Sequence, residues 1–166
     1  LSKVGTWKVL KKLESEKLII LSPLGTEKTS AYRIILNLEN VLVEKRLELY
    51  FSEDAQKNKR WLINFAEIER NVDFLIIYGS IISSSKAAND IDILTVTGKS
   101  KLNKVNELIS KIQKTQVKKI HALNFTEYEL KNELDKNNKA FIDAIKKGIV
   151  LFGQANFIKF VKGERK

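Results

Sequence analysis

The stretch from Phe74 to Val96, FLIIYGSIISSSKAANDIDILTV, constrains this chain more than any other. Phe74, Leu75, Ile76, Ile77 and Tyr78 make an unbroken apolar run of strand length, the pattern of a buried strand. The run ends in Gly79-Ser80, a small pair that lets backbone approach a phosphate; a helix opening there offers unpaired N–H groups and the positive end of a dipole. Asp90 and Asp92 bracket Ile91 at the start of a second predicted strand, Ile91 to Val96, and a period of two points both carboxylates to one face. Two such carboxylates repel unless a cation sits between them. Magnesium, with manganese as the alternative, is the usual occupant: it takes oxygen ligands and completes its shell with waters and substrate phosphates. The competing reading makes Asp90 the close of the Ala87-Ala88-Asn89 turn and Asp92 a surface residue at a strand end.

Bulk properties narrow the class. With 166 residues, 43% hydrophobic and 30% charged, the chain has enough apolar content to bury a core, as one domain or two small ones. No apolar run approaches the roughly 20 residues of a membrane span and no signal-peptide pattern is present, so a cytoplasmic location without membrane contact is expected. The absence of cysteine excludes disulfides, thiolate nucleophiles and cysteine zinc sites, and a lone histidine, His121, excludes multi-histidine sites. Oxygen-only metal ligation is the resulting expectation. A net charge of +10 favours polyanions such as nucleic acid or nucleotide. The chain lacks methionine and opens on Leu1, from which a start inside a longer protein is expected.

Val4, Trp7, Leu10 and Leu13 recur every third position behind Ser2, a plausible N-cap, and predict a helix to Glu16 despite Gly5. Strand-like runs at Leu18 to Leu21 and Ala31 to Leu36 follow, with Pro23, Gly25 and Ser30 supplying turn chemistry. Asn37 to Phe51 reads as a connecting segment, and Ser52-Glu53-Asp54 as the start of a helix reaching about Arg70 in which Trp61, Phe65 and Ile68 face the core. Leu102, Val105, Leu108, Ile109 and Ile112 mark an amphipathic helix before a third strand, Val117 to Leu123. Thr126 with Glu129 forms a capping box, Asn137 to Lys147 is helical, and Ile149 to Phe152 is a last short strand. The sum is an α+β chain with a small mixed sheet flanked by helices.

Strand, Gly-Ser, short helix and Asp-x-Asp on the next strand resembles the nucleotidyltransferase superfamily typified by DNA polymerase beta, above all its small, minimal nucleotidyltransferase branch. FIDAIKKGIVLFG, Phe141 to Gly153, is similar to the closing helix and strand of those domains, so the resemblance covers residues 52–160. The N-terminal helix and hairpin resemble the recognition helix and wing of a partial winged helix-turn-helix, although Lys17 stands where relatives often carry glycine. The expected division is residues 1–51, partial winged helix and linker, and 52–166, nucleotidyltransferase-like domain.

The resemblance implies transfer of a nucleoside monophosphate from a nucleoside triphosphate to an acceptor hydroxyl. In the family, two or three carboxylates hold two metals about 4 Å apart. Asp90 and Asp92 match the first two as catalytic and metal-holding residues, Gly79 and Ser80 would seat the triphosphate, and Lys86 would add a charge. Two departures stand out. His121 falls where a third acid is common, with Glu127 or Glu129 reaching in as a substitute, or else it is a strand histidine bonded locally. The loop after Gly-Ser is IISSSK, without the Ala-Arg-Gly of relatives, so Lys86 serves as a point donor and Ser83 to Ser85 as a solvated turn. The departures favour the alternative function, a weak or inactive transferase fold serving as a DNA-binding regulator or the antitoxin of a toxin pair. Ser2, Lys3, Thr6, Lys8 and Lys11 are the candidate DNA contacts, or else decorate an ordinary basic helix packed by Trp7 and Leu10. Lys104, Lys111 and Lys118, seven apart, form a candidate basic stripe or a solvated face. A toxin, another protein or a second copy of the chain in a homodimer completes the candidate partners.

Overall fold

Apolar residues spaced by four, Val43, Leu47, Phe51 and Ala55, run straight through the segment expected to be a connector, and a helix forms across it. The computed structural model describes residues 2–25, 31–84 and 86–163, so Ser30 of the expected turn and Ser85 of the loop lie outside the described residues. Two compact units divide the chain at Leu47/Glu48.

In the first unit, helix α1 (Lys3–Ser15) begins as its sequence predicts: the Ser2 hydroxyl accepts the Gly5 N–H at 3.1 Å. The helix stops where Lys17 adopts φ +56°, a left-handed conformation that glycine would take at less cost. Strands β1 (Ile19–Pro23) and β2 (Tyr32–Leu36) pair antiparallel, Ile19 opposite Leu36 and Pro23 opposite Tyr32. The unit's core is small: Leu18, Leu38 and Val43, with Leu13 and Leu47 against them. No residue of α1 is fully buried; Leu10 is half-buried, and Trp7 stays 40% exposed with its ring 5.2 Å from that of Tyr32.

Helix α2 (Val41–Lys57) has Val41–Leu47 in the first unit and the rest in the second. Asn40 starts it, its Oδ1 accepting the Leu42 N–H at 2.9 Å. Ser52 therefore starts nothing. It lies mid-helix, its hydroxyl turned back onto the Glu48 carbonyl at 2.8 Å, which removes the competition that makes serine a cap. The helix expected to reach Arg70 is instead broken at Asn58, whose side chain donates to the Asp54 carbonyl at 3.0 Å. Helix α3 (Lys59–Phe65) and a 3-10 turn over Ala66–Asn71 follow, with Trp61, Phe65 and Ile68 buried as expected.

The second unit is built on an open mixed sheet in the order β5-β4-β3-β6, flanked by helices. Its strands are β3 (Phe74–Tyr78), β4 (Asp90–Val96), β5 (Lys119–Phe125) and β6 (Ile149–Phe152). Strand β3 runs antiparallel to both β4 and β6, whereas β4 and β5 are parallel. That parallel step needs a crossover, and α5 (Leu102–Gln113) supplies it with the expected apolar stripe. The single turn α4 (Ser80–Ser83) lies between β3 and β4; α6 (Glu127–Asp135), α7 (Lys139–Lys147) and α8 (Gln154–Gly163) make up the C-terminal part. The Thr126–Glu129 capping box forms, and Asn137 at φ +54° separates α6 from α7. Strand β5 starts two residues later than expected because Gln113 clamps its approach. The Gln113 amide donates to the Lys118 carbonyl at 3.1 Å and accepts the Ile120 N–H at 2.7 Å.

Alternation divides the sheet into two buried faces. Leu75, Ile77, Ile91, Ile93 and Ile120 pack with Trp61, Phe65, Ile68, Val105 and Ile109 on one. Phe74, Ile76, Leu94, Val96 and Val150 pack with Leu130, Ala144, Phe157 and Phe160 on the other. The second face decides where the candidate site sits. Along β4 it reads Asp90, Asp92, Leu94, Val96: apolar where α6 to α8 supply its core partners, acidic at the strand's opening end.

Among the described residues no helix is long and apolar enough to cross a membrane. The basic stripe does not form as one helical face. Lys118 lies beyond α5, its ammonium on the Ala88 carbonyl, Lys111 pairs with Glu67 at 2.7 Å and Lys104 with Glu107 at 3.1 Å.

Candidate metal centre

Three strands bring the candidate residues together. Tyr78, the last residue of β3, pairs with Asp92 on β4, and Asp92 pairs with His121 on β5. Asp90 lies two residues before Asp92 and so shares its face. The His121 Nδ1 stands 3.3 Å from the Asp90 Oδ2 and 3.6 Å from the Asp92 Oδ1. Ligand atoms of all three residues lie within 4.8 Å of one another, an arrangement that could hold a metal ion. The carboxylates are mostly sheltered, with side chains 33% and 24% exposed, and the imidazole at 47% forms the open side. Beside the oxygen ligands expected from the sequence, the candidate donor set includes an imidazole nitrogen, because parallel pairing sets β5 beside β4 in a register that no local pattern reveals.

Asp92 is the member whose titration its surroundings shift. Burial pushes its carboxyl above the ordinary range, Asp90's negative charge pushes it further, and His121 opposes both. An ion that neutralises the pair would relieve both effects. Next to it, burial and then the Asp92 charge raise the Tyr78 hydroxyl. Tyr78 is a neighbour that reading the motif alone does not identify; only the β3–β4 pairing places it opposite Asp92.

Gly79 makes the room. Its φ of +79° and ψ of −161° fall in a region open essentially to glycine alone, and a Cβ there would run into the Asp92 carboxylate. Ser80 opens α4, whose four residues are too few for an extended helix dipole; the first-turn N–H groups themselves are what a phosphate would meet. Lys86 is exposed and lines a cavity of about 800 Å³ with Lys57, Lys59, Arg60, Ser83 and Ser84. Glu127 and Glu129 do not join the centre: Glu127 pairs with Lys131 at 3.0 Å, and Glu129 is taken up by the Thr126 backbone and hydroxyl, each at 2.8 Å.

Positioning comes from two further contacts. The Gln113 clamp holds the start of β5, and the Lys118 ammonium on the Ala88 carbonyl ties that start to the loop leading into Asp90. In the first unit, Ser2 and Thr6 spend their hydroxyls on the opening turn of α1, and Lys11 pairs with Glu14 at 2.8 Å. Lys3 and Lys8 are exposed on the same helix.

No protein-family model matches the chain, and neither a curated protein nor a solved structure matches it.

Proposed function

We propose that the second unit is a nucleotidyltransferase-like domain that moves a nucleoside monophosphate from a nucleoside triphosphate to an acceptor hydroxyl, dependent on Mg2+ or Mn2+. The observation that carries this reading is the pairing of Tyr78 with Asp92, which sets Gly79 beside the Asp92 carboxylate, one residue before Ser80. On this reading a phosphate cradle and a cation site would share one end of the sheet. Asp90 and Asp92 would hold the ion, which when bound supplies charge for the triphosphate and lowers the pKa of the attacking hydroxyl. The fit rests on the donor set: two sheltered carboxylates within ligand reach, one of them disfavoured as a bare charge. Ser80 offers its hydroxyl and N–H to phosphate oxygens, and Lys86 would add a charge from the loop. Helix α1 with the β1–β2 hairpin would act as a partial winged helix whose exposed Lys3 and Lys8 meet DNA, while Ser2 and Thr6 serve the helix start and Lys11 would have to leave Glu14 to join them.

The test is label transfer from α-32P nucleoside triphosphates with Mg2+ or Mn2+ to the protein, to candidate acceptors and to copurifying partners. Asp92→Asn should abolish labelling in a chain that still melts cooperatively; equal labelling by variant and wild type sinks the assignment.

One observation favours a second reading, a DNA-binding regulator or antitoxin built on the same fold. His121 contributes no negative charge, which leaves the centre one acid short of a three-carboxylate site. Tight nucleotide binding without turnover would select that reading.

A further inference from the structure

We infer that His121 is a metal ligand through Nδ1 and that it turns the Asp90–Asp92 pair into a site selective for imidazole-accepting first-row ions, Mn2+, Co2+ or Zn2+, over Mg2+. The inference deepens the proposed function and rests on its metal site, but it concerns the ion's chemical class. Three observations carry it.

The first is spacing. The His121 Nδ1 sits 3.3 and 3.6 Å from one oxygen of each aspartate, outside the 2.7–3.2 Å of an ordinary N–H···O bond. Two ligands held at about 2.1 Å from one ion stand about 3.0–3.4 Å apart in octahedral or tetrahedral arrangement. The 3.3 Å separation falls in that span and the 3.6 Å one about 0.2 Å beyond it, so a small closing movement around an ion brings all three groups into ligand geometry. The second is origin. His121 and Asp92 are register partners on parallel strands, and Gly79 leaves open the space that a side chain would take from the Asp92 carboxylate. Sheet hydrogen bonding, not a loop, sets the geometry. The third is donor chemistry. Two carboxylates offset the double charge of the ion, while the nitrogen donor is one that Mg2+ takes reluctantly and that Mn2+, Co2+ and Zn2+ accept. Glu127 and Glu129, which could have restored an oxygen-only set, are spent on Lys131 and Thr126.

The chain has a single histidine, so its ring signals in an NMR spectrum are unambiguous. The experiment uses chelator-stripped protein and the metal salts alone. Substoichiometric Zn2+, which is diamagnetic, should shift the 15N resonance of the His121 Nδ1 more than that of the other ring nitrogen, and Mg2+ in excess should fail to reverse it. Co2+ should give d–d absorption bands and bind at least about tenfold more weakly to His121→Ala, the scale of loss expected when a site's supporting ligand sphere is cut. Mg2+ affinity should stay nearly constant in that variant, and His121→Asp should move the preference toward Mg2+. Most sites favour Co2+ over Mg2+ to some degree, so the difference between wild type and variant decides. If His121→Ala and His121→Gln both bind Co2+ like wild type, and Zn2+ leaves the His121 Nδ1 resonance in place, the inference fails while the carboxylate site survives. If Asp92→Asn also binds every ion as wild type does, the site and the proposed function fall together.

Discussion

Asp92 and His121 face each other across the parallel β4–β5 pair, the Asp92 Oδ1 3.6 Å from the His121 Nδ1, with Asp90 completing the group at 3.3 Å. An acid pair that sits two residues apart in sequence thus acquires its third member from 29 residues beyond Asp92, across one strand spacing.

Asp92 carries a pH signature. Its folded carboxyl lies above the ordinary value of about 3.9, so the folded state binds the proton more tightly than the unfolded one. Stability from this group is therefore highest at acid pH and falls as pH rises through the raised value. Asp92→Asn has no such titration. Thermal melts of metal-free protein should show the variant as stable as wild type or more so at pH 7, with the gap closing on acidification. Added divalent cation should raise the wild-type midpoint and leave the variant's unchanged.

Gly79→Ala tests the room beside Asp92. The backbone there is open essentially to glycine alone and the new Cβ would strike the carboxylate, so a loss of about 1–3 kcal/mol is expected in chemical denaturation. Metal affinity should drop in the same variant, read by calorimetry, because the carboxylate must move aside.

The Thr126–Glu129 capping box anchors α6. Thr126→Ala should cost about 1 kcal/mol. The Thr126 N–H and hydroxyl hold the Glu129 carboxyl below its ordinary range, so its contribution is present above the unfolded value and lost as pH falls through the depressed one. The difference in melting temperature between wild type and Glu129→Gln should shrink in that acid window.

The aromatic cluster under the C-terminal helices is a control remote from the chemistry. Phe157 stacks edge-on against Phe74 at 5.5 Å and Phe51 at 5.4 Å and is buried. Phe157→Ala should cost about 3–5 kcal/mol by denaturant titration, while the folded fraction keeps wild-type metal affinity.

Local signals were enough wherever a short-range rule decides the outcome. The caps at Ser2 and Thr126 form as read, and so do the buried run Phe74 to Tyr78, the α5 stripe and the core positions Trp61, Phe65 and Ile68. Misreadings arose where a residue serves two purposes. Ser52 looks like a cap but bonds backward within α2, and the helix expected to reach Arg70 ends at Asn58, whose side chain bonds back to the Asp54 carbonyl. Lys118 fits a heptad spacing on paper, yet the helix has already ended.

For the site, the sequence by itself determined that Asp90 and Asp92 point one way, because a strand's period of two leaves no other outcome, and that a flexible pair, Gly79-Ser80, ends the preceding strand. Only the tertiary structure decided what those carboxylates meet. Antiparallel pairing set Tyr78 and Gly79 beside Asp92, and parallel pairing through the α5 crossover set His121 opposite it. Register is a property of two strands together, fixed by burying Ile91, Ile93 and Ile120 in one face at once, and no single stretch of chain contains it.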